Sequence, residues 1–151
     1  LAQVDSLRCE EVLDKPLPEM HIRASITALR YANKTGSRLF VPVAPLRSGP
    51  GRFTTERRHD LWIDKGYCDT DSLTLHLPEG YVVEALPKSV TIENRFGKVA
   101  FEALCSGDRL HIRIRLLRRS GRYPQSEYAA FREFMQAVDR VYSAKIVLRK
   151  V

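Results

Sequence analysis

Three cysteines and four histidines are the nucleophiles and bases from which a thiol-based acyl-transfer site could be built in this chain. Attack by a thiolate needs a base within hydrogen-bond reach and usually a third group to orient that base. Only Cys68 has such neighbours in sequence, with His59, Asp60, Asp69 and Asp71 close by. No nucleophile elbow or glycine-flanked cysteine accompanies it. The sequence therefore carries no complete catalytic constellation, and no catalytic residue is assigned.

Asp64, Asp69 and Asp71 crowd into one short stretch that also holds Gly66 and Ser72, which raises the question of a hard cation. In an EF-hand loop the glycine lies within the ligand run and a glutamate closes it. Here Gly66 precedes Asp69 and no closing glutamate follows. Aspartate and serine also favour turns for their own backbone reasons. Cys9, Cys68 and Cys105 show no CxxC or Cys/His spacing, and phosphate-cradling glycine loops are absent. No metal and no cofactor are expected. The odd cysteine count points to buried thiols, and Cys105 continues the alternation Val99, Phe101, Ala103 as a core residue.

A formal charge of +7, from 25 Lys and Arg against 18 Asp and Glu, favours polyanionic partners. The cations are dispersed, with no zinc finger, RNA-reading aromatic motif or basic amphipathic helix, so nucleic acid is not the expected partner. Seven residues form a candidate interaction surface: Arg47, Arg52, Arg57 and Arg58 after Ala44, and His111, Arg113 and Arg115 in alternation further on. Glu84, Glu93 and Glu102 offer cross-strand neutralisation of that last row. With Trp62 or Tyr67 as a stacking surface, the same residues would serve a carbohydrate- or polyanion-binding module.

These side chains must be positioned by a chain of 151 residues, the size of one domain, with an ordinary hydrophobic fraction of 44%. One domain over 1–151 is expected. Most of the sequence follows a period of two, which places alternate side chains on opposite faces of a strand. Ile22, Ala24 and Ile26 make Met20 to Ala28 a half-buried strand, with Arg38 to Val43 as its partner and Pro42 favouring an edge. Pro45 to Arg52 reads as a long loop. Short strands follow at His59 to Asp64, Ser72 to Leu77, Tyr81 to Leu86 and Ser89 to Glu93, then a hairpin joining Lys98–Cys105 to Arg109–Leu117 across Gly107.

One segment breaks this pattern. From Ser126, read as an N-cap, Tyr128, Phe131, Met135, Val138 and Tyr142 recur at helical spacing, and Ala144 to Arg149 returns as a strand. The expected fold is an antiparallel β-sandwich with one C-terminal amphipathic helix packed on a sheet. No run approaches the roughly 18 apolar residues of a membrane span, so no membrane insertion is expected. The chain starts at Leu1, and it is expected to be excised from the C-terminal end of a longer protein.

A wider pattern runs through Leu39-Phe40-Val41-Pro42-Val43, Leu77-Pro78-Glu79-Gly80-Tyr81, Phe96-Gly97, Gly121-Arg122-Tyr123-Pro124 and Lys145-Ile146-Val147-Leu148. It resembles the C-terminal β-rich domain of bacterial transglutaminase-like proteins, in which an N-terminal β domain precedes a papain-like core. The resemblance implies a non-catalytic accessory domain of an exported envelope protein, partnered by the upstream core and by a protein or glycan ligand. In such a protein the Cys, His and Asp triad belongs to the core, so no cysteine of this chain inherits that role.

Overall fold

In a computed structural model, residues 2–45, 53–54 and 56–151 are described. The chain divides into two compact units, residues 1–33 and 34–151.

The first unit is an antiparallel ribbon of β1 (Ala2–Val12) and β2 (Glu19–Ala28). Val4, Leu7 and Cys9 face Ile26, Ala24 and Ile22 across the ladder, and the register slips by one residue between Val4 and Ser6. That bulge at Asp5 explains why β1 shows no clean alternation in sequence: its apolar positions change parity halfway along. The expected pairing of Met20–Ala28 with Arg38–Val43 is corrected, because β2 pairs with β1. Nor is β2 half-buried, since Met20 and Ile22 remain 60% and 62% exposed. Alternation shows that one face is apolar; it does not show that anything covers it.

In the second unit, β3 (Asn33–Thr35), β4 (Arg38–Pro42), β12 (Lys145–Lys150) and β7 (Tyr81–Ala85) form one four-stranded sheet in the order β3-β4-β12-β7. A second sheet has the order β6-β10-β9-β8, from β6 (Tyr67–His76), β10 (Arg109–Arg118), β9 (Gly97–Ser106) and β8 (Val90–Asn94). A small ribbon pairs β5 (Leu61–Ile63) with β11 (Gly121–Tyr123). Every ladder recorded between these strands is antiparallel. The arrangement is the sandwich-like, mainly β fold with one C-terminal helix that alternation predicts. Pro42, however, lies on β4, which is second in its sheet and pairs with the central β12, rather than on an outermost strand.

The core follows from parity. On β10, Leu110, Ile112, Ile114 and Leu116 are buried, while His111, Arg113 and Arg115 point to solvent. Ile146 and Leu148 from β12, Val41 from β4 and the adjoining Val43 complete the apolar interior. Each such side chain contributes about 1.5–3 kcal/mol when fully buried. The hairpin between β9 and β10 turns at Gly107, whose φ of +60° suits a residue without Cβ.

Helix α1 (Tyr128–Tyr142) presents Tyr128, Phe131, Phe134, Met135, Ala137, Val138 and Val141 inward. Its Phe131 ring meets Phe96 edge-on, with centroids 5.5 Å apart. Ser126 does not cap the helix as expected: it lies in a 3₁₀ turn, Gln125–Glu127, closed by Glu127 N–H donating to the Pro124 carbonyl at 2.9 Å. Glu127 takes the N-cap position. Cys105 also departs from expectation. It faces the side expected from its register with Leu110, but burial along β9 fades beyond Phe101 and the thiol is exposed. Cys9 and Cys68 are likewise free and exposed. Among the described residues no helix is long and apolar enough to cross a membrane.

Candidate ligand-binding surfaces

The seven basic residues read from the sequence do not converge on one described surface. Arg47 and Arg52 lie outside the described residues. Arg57 is half-buried: its Nε donates to the His59 carbonyl at 3.0 Å, and its guanidinium lies 5.6 Å from the Tyr128 ring centroid. The Gln125 side chain donates in turn to the Arg57 carbonyl. Arg57 therefore clamps the segment before β5 onto the start of the helix, and its charge is engaged within the fold. Arg58 is exposed.

His111, Arg113 and Arg115 do form a row on the outer face of the β6-β10-β9-β8 sheet. Across one ladder they face Thr74, Ser72 and Thr70, and across the other Leu104, Glu102 and Ala100. The His111 ring nitrogen Nδ1 is 3.2 Å from Thr74 Oγ1. Two of the three glutamates expected to neutralise this row are committed elsewhere. Glu84 pairs with Arg38, and Glu93 pairs with Lys98 at 3.1 Å and Arg119 at 3.0 Å. Those two cations, Lys98 first, hold the Glu93 carboxyl below its ordinary range. Only Glu102 stands opposite the row, facing Arg113. Cations two residues apart on one strand face repel one another, and a bound polyanion would relieve that repulsion.

A separate constellation forms at the β5–β11 ribbon. Leu61 and Ile63 are 6% and 4% exposed, which anchors the backbone on both sides of Trp62 and leaves the indole 73% exposed. Arg122 is the cross-strand partner of Trp62, so both side chains leave the ribbon on the same face. Asp60, two residues before Trp62, shares that parity. Its Oδ2 accepts from Arg122 Nε at 3.3 Å, and its Oδ1 accepts from the Gln125 backbone N–H at 3.2 Å. His59, Asp60, Trp62 and Arg122 line a surface depression of about 460 Å³. Trp62 is legible in the sequence as an outward aromatic between two apolar neighbours. Arg122 is not, because it reaches Trp62 only through a ladder that joins residues about 60 apart.

The thiols do not add a reactive centre to either surface. Cys68 lies opposite Leu117 on the outer sheet face, and Cys105 Sγ is 3.8 Å from the Gly107 carbonyl. Among the described residues, no group of three or more His, Cys, Asp or Glu is placed to hold a metal ion.

Residues 37–148 match the family described as Domain of Unknown Function with solved-structure structure (DUF3858). The fold is similar to part of a crystal structure described as that of a "putative protease" from Parabacteroides distasonis ATCC 8503, with a TM-score of 0.57 and 13% sequence identity. That match covers 65% of this chain and 19% of the other, so the chain spans about a fifth of the length of that protein. At this identity the likeness is one of fold. No curated protein matches the chain.

Proposed function

The chain belongs to the DUF3858 family, and from that premise we propose that it is a non-catalytic accessory domain of a longer, exported transglutaminase-like protein, built to pack against another part of that polypeptide. The observation that carries this reading is the apolar face of the β1–β2 ribbon. Val4, Leu7, Met20 and Ile22 are each about 60% exposed, and Ile26 is 47% exposed. An isolated two-stranded ribbon is marginal in water, because it has no third strand or helix to bury its apolar side. A long ribbon with one such face and open edges is suited to strand addition or to lying on a neighbouring sheet.

Two further points support the reading. The longer protein with a similar fold accommodates this fold as about a fifth of its length. Its description as a protease is also chemically akin to a papain-like transglutaminase core, since peptide hydrolysis and acyl transfer both begin with thiolate attack on a carbonyl. In that reading the thiol chemistry sits in the core and this domain holds or presents it.

Hydrogen exchange on the isolated chain and on the longer parent polypeptide tests the proposal. Amides of residues 2–28 are expected to exchange fast in the isolated chain and to be strongly protected in the parent. Equal exchange in both would overturn it.

A further inference from the structure

We propose that the depression at the β5–β11 ribbon is a binding site for a neutral oligosaccharide, with Trp62 as its stacking platform and Asp60 and Arg122 as its hydroxyl readers. This is a second function of the domain, and it does not rest on the accessory role.

The ligand class follows from what surrounds the indole. A pyranose ring has an apolar C–H face and an equatorial belt of hydroxyls, so a site for it needs an aromatic plane beside planar groups that donate and accept hydrogen bonds. Trp62 supplies the plane, and its anchored flanks hold it at little entropic cost on binding. Asp60 is acceptor-only when ionised and Arg122 donor-only, so together they can satisfy both senses of a sugar hydroxyl. The backbone N–H of Gln125 fixes the Asp60 carboxylate, and the carboxylate in turn aligns Arg122. The readers are thus held by the fold before a ligand arrives.

Charge separates this class from the alternatives. Asp60 and Arg122 cancel, so the depression favours an uncharged ligand, in contrast to the cationic row on β10. An apolar protein partner would need neighbouring exposed apolar side chains, as the β1–β2 ribbon has. The other residues lining the Trp62 depression are His59, Asp60 and Arg122, all polar. A single aromatic set among polar groups fits a ligand that is apolar on one face and hydroxylated at its rim.

Trp62 is the single tryptophan of the chain, so its fluorescence reports on this site alone. The full chain is titrated with cellohexaose, chitohexaose and maltohexaose, with heparin as the charged comparison, and binding is confirmed by calorimetry. Saturable quenching or blue shift with at least one neutral hexasaccharide is expected. Trp62→Ala should abolish the calorimetric signal, and Arg122→Gln should weaken it by about tenfold or more, with Tm unchanged in both. Because both side chains are exposed, neither variant is expected to disturb folding. The proposal is overturned if none of the three saccharides binds saturably, if Trp62→Ala binds as well as the unaltered chain, or if the indole responds only to another part of the parent polypeptide.

Discussion

Arg38 and Glu84 meet in a two-pronged ion pair, Nε to Oε2 at 2.6 Å and Nη2 to Oε1 at 2.7 Å, although they sit on β4 and β7 with β12 between them. The contact exists because β7 bulges there. Ala85 pairs with Val147 and Val83 with Leu148, which leaves Glu84 as the extra residue, free to reach across toward Arg38 and Arg149. A pair with this geometry ties the outer strands of one sheet together over its central strand.

The pH dependence of that tie has a definite sign. Arg38 holds the Glu84 carboxyl below its ordinary value of 4.5. A carboxyl depressed in the folded state stabilises fully above its unfolded value, and that contribution fades as pH falls through the folded value. Glu84→Gln is therefore expected to lower Tm slightly at neutral pH and to match the unaltered protein in strong acid. Thermal melts across the acid range check this, and a difference that grows on acidification would contradict the pairing.

Phe131 is the aromatic centre of the helix–sheet contact, 2% exposed and edge-on to both Phe96 and Phe53. Phe131→Ala is expected to cost about 3–5 kcal/mol, because it removes the ring and leaves a cavity between elements that cannot fully collapse. Urea unfolding should show a lower midpoint at an unchanged slope.

Two glycines separate space from backbone conformation. A Cβ at Gly97 would lie 2.0 Å from the Leu117 carbonyl oxygen, whereas at Gly107 nothing lies within 4 Å and only the φ of +60° resists substitution. Gly107→Ala is expected to cost about 1–2 kcal/mol in left-handed strain. Gly97→Ala should cost more, since the β9–β10 ladder itself must move. Paired denaturation curves decide the order.

The outer row should govern adsorption to polyanions. Replacing Arg113 and Arg115 together by Gln is expected to move elution from heparin to clearly lower salt, because exposed charges act through a screened field. Stability should change by no more than about 0.5 kcal/mol, both positions being solvent-facing. Unchanged elution would place the anion-binding surface elsewhere.

Both cysteines of the second unit should be reactive in the native state. Cys68 and Cys105 are exposed, so a thiol reagent is expected to label both without denaturant. Labelling of Cys105 only after unfolding would instead make it the core residue that its alternation suggests.

Much of this protein was legible in its sequence, since a period of two or 3.6 reports directly which side chains share a face. The β9–β10 hairpin, the inward set Leu110 to Leu116, the helix stripe and the returning strand at Ile146 and Leu148 all follow from such local patterns. Pairing partners were not legible in the same way, because a ladder between distant strands leaves no mark at short range. Only the tertiary structure decided that β2 pairs with β1, that Arg57 spends its charge on carbonyls, and that Glu84 and Glu93 turn away from the row at Arg113. It alone brought Arg122 beside Trp62 and Asp60. Periodicity fixes the face a residue occupies, whereas a site depends on which faces meet, and that is a property of the folded chain.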